Sequence, residues 1–312
     1  MNILVTGGAG YIGNVLTRIL LASHEVKQVT VIDNFFFNQA SSIISLLDNK
    51  KFNLINSDVR NNSVLKKTIK RCDLIIPLAA IVGAPACDKN RKLATEINYN
   101  QIKFISETKS NQQLLILPVT NSGYGIGGEK KCDENSPLEP VSHYGKTKVL
   151  AEKIILEKKN FISLRLATVF GISSRMRTDL LVNDFVFKAF KDNYLELFES
   201  HFRRNFIHIK DVAKVILFLL KNFKKFKDNI YNVGLDNANL TKMQLAMKIR
   251  KRIKNLKIVK NEVSKDPDKR DYLVSNRKIL NTGWKPEHSL DEGIDELIKF
   301  YPFFKGNNST NI

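Results

Sequence analysis

The sequence predicts an α/β protein, a doubly wound parallel sheet followed by a smaller mixed α/β region. Three observations carry this. Short apolar runs alternate with segments of helical spacing as far as Gly171, the rhythm of a parallel sheet covered on both faces. The first run breaks into a glycine-rich turn that opens a helix. After Gly171 the alternation gives way to irregular elements, as a second region set on the first would give. With 312 residues the chain can bury a large core in one domain or two, and 43% hydrophobic content marks it as globular.

Ile3-Leu4-Val5 reads as a buried strand. Tyr11 to Leu21 reads as a helix, with Ile12, Val15, Leu16, Ile19 and Leu20 on one face. Between them Gly8, Gly10 and Gly13 satisfy G-x-G-x-x-G in its required setting, after a strand and before a helix. Such glycines allow a tight turn, close approach to a pyrophosphate, and close helix–strand packing. Gly7, Gly10, Tyr11, Ile12 and Gly13 are therefore expected to cradle a dinucleotide at the positive helix end. A second strand, Val29 to Ile32, ends at Asp33, placed to meet the adenosine ribose. A carboxylate there accepts from a free 2′-hydroxyl and repels a 2′-phosphate. Asn34 follows, with no arginine beside it. The expected cofactor is NAD, on a Rossmann sheet.

A helix-like stretch runs from about Ala40 to Leu47, and Phe52 to Ile55 is a third strand. Asp58, with Val59, lies at its carboxyl end, where ligands gather in such sheets. Asp58 either meets the adenine or caps a helix. Leu74 to Ala80 is a fourth strand, and its small residues Ala79 and Ala80, after Leu78, let backbone approach a dinucleotide. A long helix is expected from about Asp88 to Ser106. Its Asn98 either bridges backbone groups or faces solvent. Leu114 to Val119 is a fifth strand, and Asp133 to Pro140 is a loop. A helix from about His143 to Lys158 carries Tyr144 and Lys148, four apart and so on one face. Ser163 to Val169 is a sixth strand.

Beyond it lie a helix from Leu180 to Phe190, a strand near Leu195 to Phe198, and a helix from Asp211 to Leu220. A strand at Tyr231 to Val233, a loop from Asp266 to Tyr272 and a helix from Asp291 to Phe300 complete the chain. Residues 1–170 are expected to form the cofactor domain, with 205–233 returning to it. Residues 171–204 and 234–305 would bind the substrate, and 306–312 would be a disordered tail.

The net charge of +19 gathers at Lys221 to Lys227 and Lys248 to Lys260. In the second stretch Arg250, Lys251, Arg252, Lys254 and Lys257 interleave with Ile249, Ile253, Leu256 and Ile258, as in an amphipathic helix before a short strand. A solvated basic face, nucleic-acid or anionic-membrane binding, and a field that draws in anionic nucleotides all fit, and charge alone does not choose. Cys72, Cys87 and Cys132 lack metal-ligand spacing, so reduced thiols and no metal are expected. Nothing resembles a signal peptide and no apolar run is long enough for a bilayer. A soluble, cytoplasmic protein is expected.

T-G-G-A-G-Y-I-G, the acid at Asp33, Leu78-Ala79-Ala80, Thr120 and Tyr144-x-x-x-Lys148 together resemble the extended short-chain dehydrogenase/reductase family. More narrowly they resemble its NAD-dependent epimerase/dehydratase enzymes of nucleotide sugars. The resemblance runs to about Leu297. It implies Tyr144 as the base that takes a sugar hydroxyl proton while hydride leaves the same carbon. Lys148 would favour the phenolate and reach the nicotinamide ribose; Thr120 would align the reacting oxygen. Tyr144 and Lys148 thus also count among the cofactor residues, with Asn98.

Family dehydratases carry acids directly after this hydroxyl, where this chain has Asn121 and Ser122, so 4,6-dehydration is disfavoured. No cysteine acid of the 3,5-epimerases is present. Oxidation at C4 remains, with a released 4-keto product or with return of hydride to the other face. Gly83-Ala84-Pro85, Asn121 to Gly125, Leu181 to Phe185 and Asp266 to Tyr272 are similar to dehydrogenases of GDP-linked heptoses. Arg204, before Asn205-Phe206-Ile207-His208, and Arg270 resemble the arginines that bind the substrate diphosphate. Asn121, Ser122 and Asn183 match substrate-contact positions. Arg175 and Arg177 have no assigned place. The family implies a homodimer through the helices near 90–106 and 143–158. A relative turned to nucleic-acid binding or NAD sensing is the rival from another class, and the intact Thr120, Tyr144 and Lys148 argue against it.

Overall fold

The computed structural model describes residues 1–261, 270–305 and 310. The first half runs β1 (Asn2–Thr6), α1 (Tyr11–Leu21), β2 (Gln28–Asp33), β3 (Phe52–Asn56), α2 (Asn62–Ile69), β4 (Leu74–Pro77), α3 (Ala84–Lys89), α4 (Arg91–Thr95), α5 (Gln101–Thr108), β5 (Leu114–Thr120), α6 (His143–Leu156) and β6 (Phe161–Leu166). The second half adds β7 (Thr168–Phe170), α7 (Leu181–Asp192), β8 (Tyr194–Phe198), β9 (Arg203–His208), α8 (Ile209–Lys221), α9 (Phe223–Phe226), β10 (Asn229–Val233), β11 (Asn239–Thr241), α10 (Lys242–Arg250), β12 (Lys257–Asn261), α11 (Arg277–Leu280) and α12 (Leu290–Phe300).

Seven parallel strands form one sheet in the order β10-β6-β5-β4-β1-β2-β3. From β1 the chain moves outward through β2 to β3, then crosses back to place β4 on the other side of β1. That reversal between β1 and β4 opens a crevice at the carboxyl ends of the strands. The central strands are apolar along their length because helices cover both faces; all four residues of β4 are buried. On one face α1 packs against α8, and Leu16 and Leu20 share a core with Val212, Val215 and Leu219. On the other, Ile102 and Ile105 of α5 and Ile155 of α6 cover Leu115 and Leu117.

Several elements differ from the sequence expectation for physical reasons. The strand expected over Ser163 to Val169 divides at Ala167. β6 lies in the large sheet, and β7 lies in a small sheet ordered β11-β9-β7. Within 205–233, β10 joins the large sheet, whereas β9 joins the small one. A third sheet pairs β12 with β8. The stretch from Ala40 to Leu47 forms two 3-10 turns, Ala40–Ser42 and Ile44–Leu46, in place of a helix. The long helix near Asp88 to Ser106 is interrupted at Asn90, whose side chain caps α4 by accepting from the Leu93 N–H at 3.0 Å. It then passes through a π turn at Glu96–Asn100 before α5.

The basic helix expected around Lys248 to Lys260 ends at Arg250. Its charges are matched from α12: Lys248 Nζ lies 2.8 Å from Asp291, and Arg252 lies 3.1 Å from Asp291 and also pairs with Asp295. Residues 266–269 of the expected loop, and 306–309 and 311–312 of the expected tail, lie outside the described residues. Among the described residues no helix is long and apolar enough to cross a membrane.

Candidate active site

A cavity of about 480 Å³ fills the crevice at the carboxyl ends of the strands. Its floor is the glycine turn. Gly7 adopts φ of 71°, and a Cβ there would lie 2.6 Å from the Ala79 nitrogen, so the turn touches the chain leaving β4. A Cβ on Gly13 would meet the Gly7 carbonyl at 2.2 Å, which seats α1 directly on the turn. Gly7, Gly10, Tyr11, Ile12 and Gly13 line the cavity. Gly8 faces the Val31 side chain instead, so Gly7 is the first glycine of the binding turn. The start of α1 has no side-chain cap and no acid in its first turn. Its N–H groups and positive dipole end are thus left for a phosphate.

Asp33 closes β2 at the cavity wall. One carboxylate oxygen accepts from the Ala9 N–H at 3.0 Å; the other accepts from the Phe35 N–H at 2.9 Å and Gln39 Nε2 at 3.1 Å. Burial pushes its pKa up, against those backbone hydrogen bonds. Asn34 Nδ2 donates to Asp58 at 3.1 Å, and Asp58 and Val59 line the same end. The capping role for Asp58 falls to Asn61, which accepts from the Val64 N–H. Arg60 also reaches this wall, a residue the sequence reading missed. Its guanidinium is spent on Asp58 at 3.0 Å and Glu96 at 2.9 Å. A hydrogen bond from Arg60 holds the Asp58 carboxyl below its ordinary range. Acid at Asp33, with the nearby arginine already paired, suits a free 2′-hydroxyl. The residues present fit NAD.

Leu78, Ala79 and Ala80 form the wall after β4. Asn98 does not join them. It is buried behind that wall, where its amide accepts from the Ile81 N–H and donates to the Ile81 carbonyl, both at 2.9 Å, and to Thr147 Oγ1 at 3.2 Å. The π turn aims Ile97 at the cavity and Asn98 at the chain behind it. Asn98 therefore supports the wall and does not itself line the cavity.

Thr120 ends β5, and Tyr144 and Lys148 stand on α6, whose N-terminus is capped by Ser142 accepting from the Gly145 N–H at 3.1 Å. All three face the cavity. Burial pushes the Tyr144 phenol up to about 12, and Cys87 adds to the rise; Arg270, Arg177 and a hydrogen bond with Thr120 act the other way. Burial pushes Lys148 down to about 8. Desolvation thus outweighs the nearby cations.

Asn121 and Ser122 are not brought to the cavity. The chain turns sharply over Asn121–Tyr124 and tucks both under α6, leaving the Asn121 amide and Ser122 hydroxyl buried without a hydrogen bond. Asn183 is likewise turned inward. It accepts from the Gly171 N–H at 3.0 Å and donates to the Arg177 carbonyl at 2.9 Å and the Tyr11 hydroxyl at 3.2 Å. All three side chains are buried and none lines the cavity.

Arg204 and Arg270 do line the cavity. Arg204 Nη1 donates to the carbonyls of Arg203, at 2.9 Å, and of Arg270, and its guanidinium lies 5.8 Å from the Tyr272 ring centroid. Lys242, Arg175, Arg177 and Asp179 line the cavity as well. Lys242 gives no sequence signal beyond following the Thr241 helix cap. Arg177 and Asp179 form a buried fork, with Nε 2.7 Å and Nη2 2.5 Å from the carboxylate. Among the described residues no group of three or more His, Cys, Asp or Glu residues is arranged to hold a metal ion.

A dinucleotide cradle, a phenol with a lysine one turn away and a cluster of arginines, all at one sheet crevice, define a dinucleotide-dependent enzyme. The chain belongs to the NAD dependent epimerase/dehydratase family, whose model matches residues 3–234. It is similar to UDP-glucuronic acid decarboxylase 1 of Danio rerio, 26% identical over 96% of this chain and 72% of that one. It is also similar to the UDP-glucose 4-epimerase of Lactobacillus helveticus, 24% identical over 96% and 95% of the two chains. Among solved structures, UDP-glucuronic acid 4-epimerase from Bacillus cereus, in complex with UDP-glucuronic acid and NAD, matches with a TM-score of 0.85. Identity there is 25%, over 97% of this chain and 99% of that one. The protein is an NAD-dependent enzyme of a family that modifies nucleotide sugars.

Proposed function

We propose that the enzyme oxidises C4 of a nucleoside-diphosphate sugar. The observation that carries this is that Thr120, Tyr144 and Lys148 line one cavity together with Arg204, Arg270 and Lys242. Bound NAD supplies the hydride acceptor. As the phenolate, which the Lys148 ammonium and a cationic nicotinamide would favour against burial, Tyr144 takes the hydroxyl proton, with Thr120 holding the sugar oxygen in line. Lys148 steadies the phenolate and the nicotinamide ribose. Arg204 and Arg270 hold the diphosphate by charge-assisted, fork-like hydrogen bonds. No acid follows Thr120, and Asn121 and Ser122 are buried, so the elimination of water lacks its acid–base pair.

Under this reading residues 1–170 with β10 hold the cofactor, and 171–204 with 234–305 hold the sugar nucleotide. The product is a released 4-keto sugar, as in the GDP-heptose dehydrogenases that Gly83-Ala84-Pro85 and Leu181 to Phe185 resemble. A second reading, 4-epimerisation, is favoured by the 4-epimerases among the similar proteins, those of Lactobacillus helveticus and Bacillus cereus included. The reading includes a homodimer through α5 and α6, where Leu150 and Leu156 are exposed. A nucleic-acid-binding role is disfavoured by the pairing of Lys248 and Arg252 with α12.

The test is a panel of GDP-, UDP-, CDP- and dTDP-sugars, with NADH followed by absorbance and products identified by NMR. Accumulating NADH with a 4-keto product supports the dehydrogenase; a C4 epimer without net NADH supports the epimerase. Full activity in a Tyr144→Phe variant would sink both. Salt-dependent RNA retention with no turnover on any sugar would revive the binding protein.

A further inference from the structure

We infer that Asp271 is a positioning residue that holds Arg270 beside Arg204 and so sets the affinity of the diphosphate site. This rests on the diphosphate reading above. Two guanidinium groups aimed at one anion repel each other before the anion arrives. Something must hold them together, and the chain supplies it on the far side of the same two strands of backbone. Successive residues of an extended chain point to opposite faces. Arg204 of β9 faces the cavity while Arg203 does not; Arg270 and Tyr272 face the cavity while Asp271 between them does not. The outward pair meets. Arg203 Nε and Nη2 each lie 3.0 Å from a different oxygen of Asp271, and the Arg203 N–H donates to the same carboxylate at 2.7 Å.

An ion pair thus ties residue 271 to β9 on the side away from the cavity, while Arg204 and Arg270 both line the cavity. On its other edge the Asp271 backbone pairs with residues 125–127, where the Gly127 N–H donates to its carbonyl at 2.7 Å and its own N–H donates to the Gly125 carbonyl at 3.2 Å, and its side chain supplies the tie to β9. The Arg204 guanidinium completes the arrangement by donating to the Arg270 carbonyl and lying over Tyr272. Both side chains of the back pair are 16% exposed, shielded enough for the carboxylate to outweigh the exposed Glu129 that also reaches Arg203. Removing the Asp271 charge while keeping its shape should loosen the tie between the segment that carries Arg270 and the strand that carries Arg204.

The test measures binding of GDP and of UDP, and separately of NAD, by calorimetry on the full chain. Asp271→Asn is expected to weaken nucleoside diphosphate binding by about tenfold, the worth of roughly one charge-assisted hydrogen bond. NAD affinity should stay put, KM for the sugar nucleotide should rise far more than kcat falls, and Asp271→Glu should restore most of the affinity. Arg270→Ala added to Asp271→Asn should weaken binding no further, because the two act as one unit. Unchanged diphosphate binding in Asp271→Asn, where Arg270→Ala does weaken it, would overturn this inference alone. Unchanged binding in Arg270→Ala would remove the diphosphate site itself, and this inference with it.

Discussion

The Tyr11 hydroxyl donates a 2.7 Å hydrogen bond to the carbonyl of Gly171, 160 residues further along the chain. That bond ties the first turn of α1, which faces the cofactor, to the point where the chain leaves the Rossmann sheet for the second region. Asn183 donates to the same hydroxyl and caps the Gly171 N–H, so three distant segments share one buried knot. Burial pushes the phenol well above its ordinary range, so Tyr11 serves here as a neutral donor.

Tyr11→Phe should keep the ring and leave the Gly171 carbonyl unpaired. A buried acceptor without its partner costs about 1–3 kcal/mol, to be read from the midpoint of urea unfolding. A variant as stable as the parent would show the knot to be dispensable.

Lys148 gives the pH prediction. Its folded pKa is depressed to about 8 from an ordinary 10.5, so between these values the unfolded chain holds a proton the native one has released. Stability should therefore rise with pH across that window, and the ammonium's burial penalty is felt in full below it. Lys148→Met, compared with the parent by urea unfolding at both ends of the window, should flatten that rise. An equal rise in both proteins would mean that other groups produce it.

Glu152 and Arg165 form a buried ion pair at the back of α6, 2.8 Å apart. Ser163 Oγ donates to the carboxylate at 2.5 Å, and Arg165 Nη1 donates to Tyr124 at 3.0 Å. Glu152→Gln would leave a buried guanidinium without its counter-charge, at a cost of about 3–5 kcal/mol in unfolding free energy. A loss below about 1 kcal/mol, the range of a surface pair, would contradict the burial of this network.

Much of this architecture is legible in the sequence where spacing and chemistry coincide. The turn from Thr6 to Gly13, the acid ending β2 and the Tyr144–Lys148 pair each need particular residues at fixed separations, so they announce themselves. What the sequence hides is direction. Asn98, Asn121 and Asn183 carry the same amide as a binding residue, and only the π turn, the turn after Thr120 and the first turn of α7 aim them inward. Lys242, Arg177 and Asp179 reach the cavity from elements that carry no motif. The basic stretch near Lys248 reads as an unpaired face because its carboxylates lie on α12, 43 residues away in Lys248–Asp291. The interruption at Asn90 and the break at Ala167 between β6 and β7 follow from capping and sheet pairing, which apolar periodicity does not encode.

The central claim is that hydride leaves C4 of the sugar under the control of Tyr144. It is tested most directly with a nucleotide sugar deuterated at C4, taken from those turned over in the panel, and the enzyme quenched during turnover. The nicotinamide should carry deuterium and turnover should slow relative to the unlabelled sugar. Undiminished turnover with no deuterium on the nicotinamide would contradict the account.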